Sequence, residues 1–315
     1  MKNKKTFGEQ NSRKRIGLKR FFPLYMMMVP GLCYLLINNY LPMFGLIVAF
    51  KRVDYRKGIL GSPWVGLDNF EYLFKTGDAW IITRNTICYN LVFILLGTVF
   101  SVTVAILLNE VRSKFAKKAY QTMLLIPFLI STVVISYLVY AFLSAETGLV
   151  NNTILRSLGI PGISWYSEKK YWLVILVLVN LWKSFGYNCI IYFAAIISID
   201  GTLHEAAVVD GANRWHRIKD IVLPSLKGTV ITLTLMGVGR IFYSDFGLFY
   251  QVPMNSGPLF DVTNTIDTYV YRGLLQLNDV GRASAAGFYQ SLIGFIVVLS
   301  ANAIVRKIEK ENALF

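Results

Sequence analysis

Long apolar runs separated by polar connections dominate this chain. A membrane span needs about 20 mostly apolar residues to cross roughly 30 Å of hydrocarbon. Six segments meet that requirement, at residues 22–49, 81–109, 120–143, 172–197, 229–250 and 284–305. The pattern therefore predicts an all-α membrane protein with six transmembrane helices.

Two of the predicted spans contain residues that interrupt a helix. Pro30 and Pro42 lie in the first span and predict a kink or an early end, because proline lacks the backbone N–H that a helix interior uses. Gly237, Gly239 and Arg240 interrupt the fifth span. The sequence therefore leaves the boundaries of the fifth span open.

The composition agrees with a lipid environment. The 315 residues are 55% hydrophobic and 16% charged, whereas soluble domains have about 25% charged residues. Cys33, Cys88 and Cys189 each lie inside an apolar run, which indicates packing residues rather than disulfides or metal ligands. The net charge of +14 is divided among separate connections and forms no continuous basic face, so nucleic-acid binding is not expected.

The Lys and Arg residues predict the orientation of the chain. The tail 1–20, the connections 111–119 and 199–228 and the C-terminal end together contain 19 of them, against nine in the three remaining loops. Because cytoplasmic loops carry the excess of basic residues, we expect a multi-pass protein of the cytoplasmic membrane with both termini in the cytoplasm. The loop 51–79, with five basic residues, departs from this rule.

A polar, amphipathic stretch at 199–228 separates the fourth span from the fifth. Thr202 and Glu205 form a T-x-x-E capping-box pattern, which predicts that a short helix starts there. Gly211 then predicts a left-handed turn, and Asn213 is a suitable N-cap for a second helix.

The second predicted helix has an apolar stripe. Trp215, Ile218 and Val222 recur at helical spacing, and Pro224 either stops this helix or opens the fifth span. The stretch therefore predicts a helix–turn–helix that lies against the inner membrane face. An interfacial helix without a protein partner is the alternative.

The same stretch resembles the loop of bacterial ABC importer permeases. Residues 205–207 read EAA, Gly211 follows, and 221–224 read I-x-LP. Nine residues separate Gly211 from Ile221, as the family pattern requires. The sequence "EAAVVDGA" is similar to the sugar branch of that family, and 182–207 resembles its oligosaccharide and polysaccharide permeases. Two features depart from the pattern: Ile218 stands where an aromatic residue is common, and SLKG follows where many members have a second proline.

The resemblance implies a type I importer (MetI-like) fold in which this cytoplasmic loop couples the spans to an ATPase. The coupling residues that it implies are Glu205, Ala206, Ala207, Asp210, Gly211 and Ala212. The residues expected to anchor the loop are Trp215, Ile218, Ile221, Leu223 and Pro224. The implied organisation is a basic cytoplasmic tail (1–20), a first transmembrane helix with an external loop (21–80), a permease transmembrane domain (81–306) and a cytoplasmic C-terminal end (307–315).

The resemblance also implies partners. They are a second homologous permease that completes a heterodimer, two copies of a cytoplasmic ATPase and an extracellular solute-binding protein that delivers a saccharide. The chain has no G-K-[ST] sequence, so ATP and Mg²⁺ are expected on the ATPase and no cofactor or metal on this chain.

The alternatives are a permease for another solute, an ion-coupled carrier or a channel. An intramembrane metalloprotease is disfavoured, because "HEAAV" at 204–208 lacks the second histidine of H-E-x-x-H.

Polar and aromatic residues inside the spans predict a pathway for a sugar. The candidates are Tyr89, Asn90, Tyr137, Asn180, Lys183, Tyr187, Asn188, Tyr243 and Asp245. Each of them has an ordinary structural alternative, such as a hydrogen bond to a neighbouring helix, a pairing of Arg240 with Asp245, or a bond from Lys183 to a backbone carbonyl. If Lys183 and Arg240 face the pathway, their charge suits an acidic oligosaccharide.

Overall fold

The computed structural model describes residues 21–308, and most of them are helical. The helices are α1 (Phe22–Phe50), α2 (Gly58–Gly61), α3 (Asp68–Lys75), α4 (Asp78–Glu110), α5 (Lys114–Leu129), α6 (Thr132–Leu143), α7 (Lys169–Ile197), α8 (Gly201–Val209), α9 (Arg214–Val238), α10 (Phe260–Thr263), α11 (Ile266–Leu275) and α12 (Val280–Ile308). Single π- or 3-10 turns occur at Val150–Leu155, Trp165–Ser167, Gly247–Gln251 and Gly257–Leu259. The predicted tail 1–20 and residues 309–315 of the predicted C-terminal end lie outside the described residues.

The described helices account for the predicted spans. Five of them, α1, α4, α7, α9 and α12, are long and apolar enough to cross a membrane, and the bent pair of α5 and α6 gives a sixth when it is counted as one span. Pro30 lies inside α1 without ending it. The all-α membrane architecture is therefore confirmed, with corrections to the third and fifth spans.

The third span is broken, although the sequence predicts one helix over 120–143. The axes of α5 and α6 meet at 92°. Pro127 precedes the break, and it can neither donate a backbone hydrogen bond nor fit easily inside a helix. Ser131 then caps α6, because its hydroxyl accepts a hydrogen bond from the Val134 N–H at 3.4 Å.

The fifth span ends at Val238, so the predicted extent of 229–250 is wrong at both ends. An irregular segment, 239–246, follows, and its carbonyls are bonded by side chains from other helices. The Asn90 amide donates hydrogen bonds to the carbonyls of Ile241 and Tyr243 at 2.8 and 3.0 Å. Gln290 donates to the carbonyl of Phe242 at 2.7 Å. Non-helical backbone at membrane depth is tolerated where it is buried in protein or lines a water-filled cavity, and these bonds satisfy its carbonyls.

The described residues form two compact units, divided between Ile47 and Val48. The second unit contains α2 to α12, and α4 and α7 pack against each other along its centre. Gly186 of α7 lets α5 approach closely, because a Cβ at this position would lie 1.9 Å from the carbonyl oxygen of Leu124. Small residues at such contacts allow membrane helices to pack backbone against backbone.

Candidate coupling loop and translocation cleft

The first helix of the loop, α8, begins immediately after Asp200. The Asp200 carboxylate accepts a hydrogen bond from the Thr202 N–H at 3.0 Å, and this bond lowers the pKa of Asp200. The predicted capping box is therefore wrong, because Thr202 and Glu205 both lie inside α8. A carboxylate at the N-cap both satisfies a free N–H and interacts favourably with the positive end of the helix, which explains the preference for Asp200.

The turn after α8 is a Schellman motif. Gly211 has a φ of +77°, so the predicted left-handed turn is confirmed. The Ala212 N–H donates to the Ala207 carbonyl at 2.8 Å, and the Gly211 N–H donates to the Val208 carbonyl at 3.1 Å. These two bonds satisfy the last carbonyls of α8 and fix the direction in which the chain leaves it.

The second helix of the loop continues without a break into the fifth span. The Asn213 side chain accepts a hydrogen bond from the His216 N–H at 2.9 Å, so the predicted N-cap is confirmed. A π turn, Ile218–Val222, leads to Pro224, and the helix runs on to Val238. Pro224 therefore does not stop this helix. The wider π turn accommodates the proline, which has no N–H to donate to the preceding helical turn.

The loop exposes a group of apolar side chains, which we call the loop patch: Leu203, Val208, Val209 and Trp215. Val209 is 87% exposed and Trp215 is 66% exposed. The predicted coupling residues Glu205 and Ala206 are exposed beside them. Sequence reasoning did not single out Leu203, although it precedes Ala206 and Ala207 by three and four residues and so shares their helix face.

The anchor of the loop lies further along α9 than the sequence predicts. Val222 and Leu226 are buried in one cluster with Leu108 and Tyr192. The predicted anchoring residues Ile218 and Ile221 are half-buried, whereas Trp215, Leu223 and Pro224 are exposed. Trp215 therefore makes no anchoring contact of the expected kind within the described chain.

A cleft of about 410 Å³ lies between α4, α7 and α9. Four of the predicted pathway residues line it: Asn90, Asn180, Tyr187 and Asn188. Sequence reasoning missed several other polar and aromatic wall residues, among them Phe93, Thr98, Ser184 and Phe185. For Ser184 the available signal was helical spacing, because it lies four residues from both Asn180 and Asn188 and so shares their face of α7.

The other predicted pathway residues lie outside the lining of the cleft. The Tyr89 side chain is buried, and its ring centroid lies 4.9 Å from that of Phe249. Tyr137 and Tyr243 are exposed. The cleft thus brings together the amides of the predicted set and leaves out most of its tyrosines.

Lys183 and Asp245 form a pair beside the cleft. The Lys183 Nζ lies 3.8 Å from the Asp245 Oδ2 and also donates a hydrogen bond to the Thr132 hydroxyl. The alternative pairing of Arg240 with Asp245 is wrong, and so is a bond from Lys183 to a backbone carbonyl. Because α9 ends at Val238, Arg240 and Asp245 do not share a helix face.

Comparisons with known proteins place these features in a family. The family model described as "Binding-protein-dependent transport system inner membrane component" matches residues 97–310. The chain belongs to this family of transport components. It is a membrane transport subunit rather than an enzyme, and the expected resemblance to ABC importer permeases is confirmed.

Two similar curated proteins come from Bacillus subtilis (strain 168). Protein LplB is 32% identical over 296 residues, which cover 94% of this chain and 92% of LplB. The polygalacturonan/rhamnogalacturonan transport system permease protein YteP is 32% identical over 306 residues, which cover 96% of this chain and 94% of YteP. Both relatives thus match this permease along nearly its whole length.

Solved structures confirm the fold of the permease. A chain of a bacterial ABC transporter involved in the import of the acidic polysaccharide alginate has a TM-score of 0.83 and 34% identity, covering 92% of this chain and 97% of that one. A second structure shows a bacterial alginate ABC transporter in complex with an alginate pentasaccharide-bound periplasmic protein, with the same TM-score and identity. The chain therefore has the multi-pass fold of a type I ABC importer permease.

Proposed function

We propose that this permease is one of two homologous membrane subunits of an ATP-driven importer for an oligo- or polysaccharide. The relative YteP is named for the transport of polygalacturonan and rhamnogalacturonan, and the similar solved structures belong to importers of alginate. A cleft lined by amides, hydroxyls and aromatic rings suits a ligand that presents many hydroxyl groups.

The observation that carries the proposal is the continuity of α9. This helix begins at the capped turn of the loop and ends beside the cleft, to which it contributes Leu233, Met236 and Gly237. Its 25 residues span about 37 Å at 1.5 Å per residue. A push on the loop is therefore transmitted to the cleft wall along one continuous helix.

The loop patch gives the proposed ATPase a surface to bind. Exposed apolar side chains beside the small residues Ala206 and Ala207 suit a groove on a partner, and Glu205 adds a charge at the same place. Two copies of a separate ATPase then bind ATP and Mg²⁺, since this chain has no G-K-[ST] sequence. In this role Asp210, Gly211 and Ala212 hold the turn in shape.

The proposal also orients the chain. The loop and both termini lie in the cytoplasm, where the basic residues are concentrated. The opposite end of the bundle then receives saccharide from an external solute-binding protein. The complex of an alginate transporter with its periplasmic protein supports this arrangement.

A pull-down from native membranes tests the proposal. We expect the wild-type chain to bring down a second six-span permease and an ATPase. Val209→Lys, in the loop patch, should lose the ATPase and keep the second permease. Leu158→Lys, the same change at an exposed apolar residue outside the loop, should keep both. A chain that purified alone as a stable oligomer would instead favour a channel or a carrier.

A further inference from the structure

The cleft between α4, α7 and α9 has neutral walls except at one residue. Among the described residues that line it, Arg240 alone carries a formal charge. Its side chain is exposed, and within residues 21–308 its guanidinium forms no ion pair. The cleft therefore has a positive charge that no acidic side chain of its own lining balances.

The neighbouring cation, Lys183, does not add to this charge. Its ammonium is paired with Asp245 at 3.8 Å and bonded to the Thr132 hydroxyl. Neither Lys183 nor Asp245 lines the cleft. The pair is electrically balanced, so the field inside the cleft comes from Arg240.

An unbalanced arginine at this position is chemically informative. A charge within a membrane protein is costly, and such charges face cavities and mark the path of a substrate. A guanidinium binds a carboxylate through two parallel hydrogen bonds, and it is less strongly hydrated than an ammonium group. Arg240 thus favours an anionic ligand over a neutral one of the same shape.

The neutral part of the lining suits a sugar skeleton. Asn188 forms no side-chain hydrogen bond within the described part of the chain, so its amide is available to a ligand. Tyr187 adds an exposed aromatic ring to the lining, and its ring stacks on that of Phe128 with the centroids 4.8 Å apart. Amides bind hydroxyl groups, and aromatic rings pack against the apolar faces of sugar rings.

We infer that the cleft takes an acidic saccharide, and that Arg240 binds the carboxylate of a uronic-acid unit while neighbouring amides bind its hydroxyls. The inference rests on the proposed transport of saccharides and adds the charge of the substrate and the residue that recognises it.

The test compares two labelled probes with the same skeleton. One is a uronic-acid trisaccharide, and the other is that trisaccharide with its carboxyl groups reduced to alcohols. The complex that co-purifies with the full chain is reconstituted in proteoliposomes and supplied with ATP and its binding protein. The variants are Arg240→Gln, Arg240→Lys and the matched control Arg156→Gln, an exposed arginine outside the cleft. Gel filtration checks that each variant keeps its partner subunits.

We expect wild-type vesicles to import the acidic probe. Arg240→Gln should lower that uptake by about tenfold to a hundredfold, the range set by one charge-assisted hydrogen-bonding partner. Uptake of the acidic probe by Arg240→Lys should lie between that of the wild type and that of Arg240→Gln. Arg156→Gln should match the wild type.

Three outcomes would overturn the inference while leaving saccharide import intact. They are wild-type uptake of the reduced probe alone, unchanged uptake of the acidic probe by Arg240→Gln, and loss of a partner subunit from Arg240→Gln, which would make Arg240 an interface residue. Failure of the wild-type complex to import either probe, with its ATPase active, would also overturn the inference, whereas a chain that purified without an ATPase would contradict the proposed function itself.

Discussion

The Lys183 ammonium lies 3.8 Å from the Asp245 carboxylate and joins the middle of α7 to the irregular segment that follows α9. The same ammonium is bonded to Thr132, the first residue of α6 after the 92° bend. One side chain therefore links the two places where the predicted spans are broken. Its charge stabilises this junction, and the pair leaves the neighbouring cleft neutral except at Arg240.

Removing one member of this pair should destabilise the chain more than removing both. Lys183→Met leaves the Asp245 carboxylate without its cation, and we expect a loss of about 1–3 kcal/mol, because the pair is partly exposed. Lys183→Met combined with Asp245→Asn should recover part of that loss. Thermal unfolding of the purified variants measures both values. A double variant that lost as much stability as Lys183→Met alone, or more, would show that the two side chains are not coupled.

Gly211→Ala should uncouple transport without preventing insertion. The φ of +77° at Gly211 is unfavourable for any residue with a Cβ, at a cost of about 1–2 kcal/mol. The turn should then distort and move the loop patch relative to α9. The control is Gly201→Ala at the start of α8, where an added Cβ meets nothing within 4 Å and φ is not left-handed. ATPase stimulation by substrate-loaded binding protein should fall in the first variant only, and equal stimulation in both would contradict the role of the turn.

Gly186→Ala should separate α5 from α7. The added Cβ would lie 1.9 Å from the Leu124 carbonyl oxygen, so the backbones must move apart. Overpacking of this kind costs about 1–3 kcal/mol. Gly287→Ala, in α12, is the matched change, because a Cβ there meets nothing within 4 Å. A lower Tm is expected for Gly186→Ala alone, and identical Tm values would show that the two helices do not pack as described.

A pH-dependent contribution is expected from the pair of Lys169 and Asp261. The Lys169 ammonium donates a hydrogen bond to the Asp261 carboxylate at 2.7 Å and lowers the pKa of Asp261. Because this pKa is lower in the folded state, the stabilisation is present above the unfolded pKa of about 3.9 and is lost as the pH falls through the folded-state pKa. Both side chains are more than half exposed, so the effect is at most about 1 kcal/mol.

Asp261→Asn should therefore lower the Tm slightly at neutral pH, and its difference from the wild type should shrink under acidic conditions. Added salt should reduce the difference further, because the pair is exposed. Glu146→Gln, at an exposed acidic residue of a different loop, serves as the control. A Tm difference for Asp261→Asn that stayed constant with pH would contradict the assigned cause.

Local rules predict the turn of the loop well. The left-handed Gly211 and the Asn213 cap depend on hydrogen bonds between residues at most five apart, so their signals are visible in the sequence. The start of α8 was misplaced because two capping patterns overlap there. Asp200 and Thr202 both suit an N-cap, and the sequence does not show which of them caps the helix.

Tertiary contacts decide what the sequence leaves open. Pro127 marks the region of the bend in the third span, but hydropathy continues across it and conceals the break. The end of α9 depends on Asn90 and Gln290, which come from helices far away in the sequence. The partner of Lys183 was unpredictable for the same reason. The amides of the cleft were found because polar side chains inside apolar spans are unusual, and two of them, Asn180 and Asn188, also share one face of α7.

Uptake of a labelled oligosaccharide by proteoliposomes that contain the purified complex tests the central claim most directly. The account predicts accumulation against a gradient when ATP and the binding protein are both supplied, and none when either is omitted. Uptake that needed neither component, or that only equilibrated the sugar across the membrane, would contradict it and identify the chain as a channel or a carrier.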